Sequence, residues 1–147
     1  MSSLMADLLQ LAGITLDATA SSREEAVAIC GAKLVELGAV APEYADAMWE
    51  REQIFPSEMG EGFAIPHGTD ESRRYVNFDQ LVFVRFVDDF LWVDERVKVC
   101  VGIASAGDGH VEILGNLADV LTNEAGANTL RYSMRPEDIR DLIMKGV

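Results

Sequence analysis

The sequence predicts an α/β fold: a central sheet covered by helices on both faces. Two observations lead there. Leu81 to Val87 is nearly continuous in apolar residues, as a strand buried on both faces requires. Helical patterns of apolar residues lie before, between and after the strand segments, which places helices on both sides of one sheet. No linker-like, low-complexity or repeated stretch divides the 147 residues, so the chain reads as one domain spanning residues 1–147.

The elements follow in order. Ile14-Thr15-Leu16 is a short strand. Ser21 opens Ser-Ser-Arg-Glu, a capping box with Glu24 at the third helical position. Val27, Cys30, Leu34 and Leu37 then recur at helical spacing, and Gly38 supplies the stop. Pro42 suits the first turn of a second helix, which carries Tyr44, Ala45, Met48 and Trp49 with Arg51 near its end. After Leu81–Val87, Leu91-Trp92-Val93 reads as a separate short strand. In Val97–Ala104 the valines and Ile103 share one face, while Lys98, Cys100, Gly102 and Ala104 share the other. Ile113, Leu114, Leu117, Val120 and Leu121 mark a helix. Pro136 starts the last one, with Ile139, Leu142 and Ile143 facing inward. Ala125–Tyr132 fits neither period clearly.

Bulk composition narrows the function. A net charge of −13 repels nucleic-acid phosphates, so nucleic acid is not an expected partner. Cys30 and Cys100 read as small core residues of a reducing compartment, and without a Cys-x-x-Cys there is no zinc knuckle or thioredoxin-type site. No run of about 18 apolar residues and no basic leader is visible, so the protein is expected in the cytosol.

Two histidines are the whole histidine supply, and imidazole is the side chain that titrates near neutrality unperturbed. His67 lies in Gly60-Glu61-Gly62-Phe63-Ala64-Ile65-Pro66-His67-Gly68. Pro66 fixes its own φ, and Gly68 can adopt conformations closed to other residues, so the turn can hold one side chain out rigidly. His110 follows Ala104-Ser105-Ala106-Gly107-Asp108-Gly109 at the start of a helix, with Asp108 or Gly109 as possible caps. The helix dipole there favours a neutral ring and a nearby anion. Arg51 closes its helix before the loop Phe55–Met59. On the residues alone, each also reads as structural: a turn histidine, a histidine near a cap, an arginine answering its own helix dipole. The P-loop, the dinucleotide fingerprint and Gly-x-Ser-x-Gly are all missing. A metal site from His67, Asp70 and His110 is conceivable, although His-x-x-Asp is not the spacing of the iron triad.

Together these segments resemble the enzyme IIA component of the bacterial phosphotransferase sugar-uptake system, in its mannitol/fructose class. The resemblance runs from about Ile14 to the last helix. It is most specific in Glu50-Arg51-Glu52 and Met59 to Gly68, then in Val101-Gly102-Ile103-Ala104 and His110-Val111-Glu112-Ile113-Leu114. It implies a mixed sheet flanked by helices and a phosphohistidine at His67, charged by phospho-HPr and discharged to a cysteine of enzyme IIB. His110 matches the second histidine of the family and Arg51 its arginine, both as donors to the phosphoryl oxygens. The other ring nitrogen of His67 should be held by a backbone carbonyl or a carboxylate. No cofactor or metal enters this scheme.

One departure stands out: where mannitol-type members usually have a glycine in the turn between the central strands, this chain reads Val87-Asp88-Asp89-Phe90. No enzyme IIB cysteine motif or membrane segment accompanies the domain, so IIB and the membrane carrier IIC are expected on other chains. The sugar is not legible. A nitrogen-regulatory enzyme IIA and a metal-dependent hydrolase using both histidines are the competing readings. The segment Glu43–Arg51 leans to the mannitol type.

Overall fold

The computed structural model describes residues 8–107 and 109–144, with the backbone alone described at residues 109, 110, 111 and 113. Its strands are β1 (Ile14–Ala18), β2 (Glu58–Gly60), β3 (Phe63–Ala64), β4 (Gln80–Leu91) and β5 (Arg96–Ala104). They form one mixed five-stranded sheet in the order β1-β4-β5-β3-β2. β1 runs parallel to β4 and β3 parallel to β5, while β4–β5 and β2–β3 are antiparallel.

Helices α1 (Arg23–Glu36) and α2 (Pro42–Ile54) cover one face. Val27, Cys30, Leu34 and Met48 pack there on Val82, Val84 and Cys100. Helices α3 (Gly109–Thr122), α4 (Glu124–Tyr132) and α5 (Pro136–Met144) cover the other. There Leu117, Leu130, Ile139 and Ile143 meet Leu81, Phe83, Val99, Val101 and Ile103. Each of these large side chains stabilises the fold by about 1.5–3 kcal/mol when removed from water. The expected α/β sandwich is therefore present, with a separate core on each side of the sheet.

Local signals were displaced in several places. The helix cap is Ser22, whose hydroxyl accepts from the Glu25 N–H at 3.2 Å. The Glu25 carboxylate in turn accepts from the N–H and hydroxyl of Ser21, the residue before the cap, at 2.9 and 2.6 Å. The capping box thus sits one residue later than the Ser21/Glu24 reading. Gly38 does stop α1: at φ +80° it donates to Val35, and Ala39 donates to Leu34, the two bonds of a Schellman close.

Leu91-Trp92-Val93 is not a separate strand. β4 runs through Asp88-Asp89 to Leu91, and the chain reverses at Trp92–Glu95, where the Trp92 N–H bonds the Glu95 carbonyl at 2.8 Å. The strand register shifts between Arg85 and Phe90. Beyond that shift, Val97 packs with Phe86, Phe90 and Trp92 on the α1–α2 side, away from the other valines of β5. The remaining alternation holds. At Gly102 a Cβ would lie 2.8 Å from Val82 and 3.0 Å from Cys30, so α1 can approach β5 only because that residue is glycine. Ala125–Tyr132, unassigned from sequence, lies within α4, which Asn123 caps by accepting from the Gly126 N–H at 3.0 Å.

Candidate functional site

His67 lies at the end of a short extension of β3. Phe63 and Ala64 pair with Val99 and Cys100, and His67 itself forms a parallel bridge to Ile103. Pro66 has no N–H to offer, but its carbonyl accepts from Ile103 at 3.0 Å. The preceding residue is held on its other side, with the Ile65 N–H bonded to the Ser57 carbonyl at 3.1 Å. Beyond His67, a 3-10 turn spans Glu71–Tyr75. It is tied back to the α1–α2 connection, with Ala41 donating to Tyr75 at 2.9 Å and Asn77 to Ala39 at 2.7 Å.

The ring of half-buried His67 is fixed through Nδ1, which lies 2.8 Å from the Ile65 carbonyl oxygen. A carbonyl can only accept, so this nitrogen carries the proton and the lone pair of the neutral ring resides on Nε2. Of the two holders left open by the sequence, carbonyl or carboxylate, the structure contains the carbonyl.

A cleft of about 290 Å³ opens beside the ring, lined among others by Tyr44, Arg51, Gly68, Arg73 and Ser105. The loop does bring Arg51 and His67 to one cleft. Arg51 also answers its own helix end: its Nη1 donates to the Phe55 carbonyl at 2.7 Å and its guanidinium lies 5.5 Å from the Phe55 ring centre. The helix-end contact and a place in the cleft wall are thus compatible for Arg51. His110 falls in the first turn of α3; its side chain, and Asp108 with it, lie outside the described residues. So does the metal trio that would need His110. Among the described residues, no group of three or more His, Cys, Asp and Glu could hold a metal ion.

Gly68 differs from its expected role. Its φ is not in the left-handed range. A Cβ there would lie 2.4 Å from Ser72 Oγ and 2.6 Å from Tyr44 Cε1, so packing demands glycine, and backbone freedom does not.

Three contributors were not singled out from sequence. Tyr44 is buried, and its hydroxyl donates to the Ile103 carbonyl at 2.8 Å while accepting from the Gly68 N–H at 2.9 Å. Burial pushes its phenol up, so it stays a donor. Arg73 adds a second guanidinium to the cleft and pairs with Asp70 at 3.4 Å. Glu52 is 1 % exposed and braces the loop after α2. Its carboxylate accepts from the Ser57 N–H at 2.7 Å, the Ser57 hydroxyl at 2.6 Å and Trp92 Nε1 at 2.8 Å. A buried tyrosine must find a partner for its hydroxyl, which is the one signal that could have drawn attention to Tyr44.

In this sandwich a histidine held through Nδ1 opens on a cleft lined by two guanidiniums, those of Arg51 and Arg73. Residues 7–146 match the family described as phosphoenolpyruvate-dependent sugar phosphotransferase system, EIIA 2, and the chain belongs to that family. It is similar to the mannitol-specific phosphotransferase enzyme IIA component of Staphylococcus aureus strain MRSA252, 34% identical over 94% of this chain and 96% of that protein. The component of the same name from Halalkalibacterium halodurans is 37% identical over 84% of this chain and 85% of that one. The fold superposes with TM-score 0.86 on a structure of the Escherichia coli complex of enzyme IIA-mannitol and phosphorylated enzyme IIB-mannitol, at 29% identity over 94% of this chain and 99% of that chain. The chain is thus a phosphotransferase component.

Proposed function

We propose that His67 Nε2 accepts a phosphoryl group from phospho-HPr and passes it to a cysteine of an enzyme IIB in mannitol uptake. One observation carries the choice of atom: the Nδ1 bond to the Ile65 carbonyl leaves the lone pair on Nε2. In the first step that lone pair attacks phosphorus as the phosphorus–nitrogen bond of the donor breaks. The donor ring recovers its own lone pair. In the second, a thiolate attacks, the bond to Nε2 breaks, and His67 returns to its starting tautomer. Neither step needs a net proton at His67, because Nδ1–H stays on the carbonyl throughout.

Little covalent work is left for the protein beyond alignment and shielding of the equatorial oxygens. Arg51 supplies donors from the cleft wall, and Arg73 adds a second set. His110 is assigned the same role from its match to the family. We place the protein in the cytosol, with residues 1–147 as one domain working with an enzyme IIB and a membrane IIC. No helix among the described residues is long and apolar enough to cross a membrane. The mannitol names of the relatives at 34% and 37% identity favour the transport branch over the nitrogen-regulatory one.

The test is incubation with labelled phosphoenolpyruvate, the general phosphotransferase enzyme and HPr, followed by candidate IIB domains. Label should appear on His67 as an acid-labile, alkali-stable adduct, and a folded His67→Ala variant should take up none. Undiminished labelling of that variant would sink the assignment. Arg51→Ala and His110→Ala should still be labelled, but on the order of 10²–10³ more slowly, as for the loss of one positioned donor.

A further inference from the structure

In a parallel ladder, Ile103 would bond both residues that flank His67. Its N–H would go to Pro66, and its carbonyl would receive the N–H of Gly68. The first bond is made directly, at 3.0 Å. The second is relayed: the Gly68 N–H donates to the Tyr44 hydroxyl at 2.9 Å, which donates onward to the Ile103 carbonyl at 2.8 Å. The phenol oxygen is therefore inserted into the β3–β5 ladder one residue past His67.

Glycine at position 68 makes room for this, since a Cβ there would strike the Tyr44 ring at 2.6 and 2.8 Å. Tyr44 belongs to α2, the helix that ends near Arg51, and Ile103 belongs to β5, the strand that leads to α3. One buried oxygen thus joins the three segments that supply Arg51, His67 and the start of α3.

We infer that Tyr44 is a positioning residue for phosphoryl transfer: its hydroxyl opens the ladder at Gly68 and so sets the angle at which His67 presents Nε2 to the cleft. This rests on the function proposed for His67. Without the oxygen, the Gly68 N–H either closes directly onto Ile103 or loses its acceptor. Both outcomes move the backbone next to His67. A displacement on the ångström scale costs on the order of 10- to 100-fold in a transfer that depends on alignment. Tyr44 is only 3 % exposed, so the loss should fall on kcat and leave KM for phospho-HPr unchanged.

The experiment compares wild type with Tyr44→Phe, which keeps the ring. Expected are a kcat for His67 labelling 10- to 100-fold lower at unchanged KM, faster exchange of the Gly68 amide, and a smaller share of the Nδ1–H tautomer by 15N NMR. A variant that melts earlier but, at a temperature where it is folded, transfers at the wild-type rate would reduce Tyr44 to a structural residue. As a second arm on the native sequence, 3-fluorotyrosine labelling should give a 19F resonance for Tyr44 that shifts when His67 is phosphorylated. An unmoved resonance would also overturn the inference. If wild type itself takes no label on His67, the proposed function fails first, and that outcome is distinct from equal labelling of wild type and variant.

Discussion

Glu52 offers the sharpest energetic test of how the site is braced. Its buried carboxylate holds two donors of Ser57 and the indole N–H of Trp92, all within 2.8 Å. In Glu52→Ala the Ser57 hydroxyl can turn away, but two N–H groups remain buried without an acceptor. Each stranded donor costs about 1–3 kcal/mol, so with two of them the variant should lose about 2–6 kcal/mol. Glu52→Gln keeps one oxygen where Oε2 meets both N–H groups, and its amide can donate to the Ser57 hydroxyl. Only charge assistance is lost, about 1–2 kcal/mol. At about 3 °C per kcal/mol for a chain of this size, the melting temperatures should fall by roughly 10 °C and 5 °C respectively. Urea melts followed by far-ultraviolet circular dichroism and tryptophan fluorescence supply the assay. Because the Ser57 carbonyl holds Ile65, folded Glu52→Ala should also label His67 more slowly. A Glu52→Ala variant within 1 kcal/mol of wild type would refute the reasoning.

Other expectations are quick to check. Gly68→Ala should cost about 1–3 kcal/mol by overpacking against the Tyr44 ring, read as a lowered thermal midpoint; an unchanged midpoint would mean that the ring moves aside freely. Ser22→Ala should cost about 1 kcal/mol through the lost helix cap, whereas Ser21→Ala, outside the cap position, should cost less. Burial holds the Cys100 thiol well above and the Tyr44 phenol above their ordinary values. The unfolded chain ionises first, so the contribution of these two groups should be constant below the ordinary thiol value and stability should fall as pH climbs beyond it. A urea midpoint as high at pH 10.5 as at pH 8 would contradict this.

The sandwich was legible because its signals are local and repeated: Leu81–Val87 as a covered strand, Val27-Cys30-Leu34 as a helix face, Gly38 as a stop. Even so, Arg85 lies inside that apolar run and is buried at 4 % exposure. Its Nη1 donates to the Leu130 carbonyl at 3.3 Å, a contact 45 residues away that no pattern announces. The reversal at Trp92–Glu95 was misplaced because Asp88 and Asp89 look like turn residues, yet the strand carries them on its exposed outer stretch. Within the site, His67 and Arg51 stood out as chemistry-bearing residues at turn and helix-end positions. Tyr44 and Glu52 did not, because each looks like ordinary helix sequence until the fold brings Ile103, Gly68, Ser57 and Trp92 to it. Arg73 needed the 3-10 turn, which leaves no periodic trace.

The segment around His67 is tethered on both sides, through Ser57 and Ile103 before the ring and through Ala39 and Ala41 after it. It is a fixed post, and a swinging arm is not available to it. Under the function proposed here, donor and acceptor proteins must then come to the same small opening in turn. Each occludes the other, so turnover is an alternation of two visitors with no ternary assembly between them. Unphosphorylated IIB, present in excess, would act as a competitive inhibitor of charging by phospho-HPr. The flux through such a relay depends on how fast each visitor leaves, and tighter docking of either one would slow it.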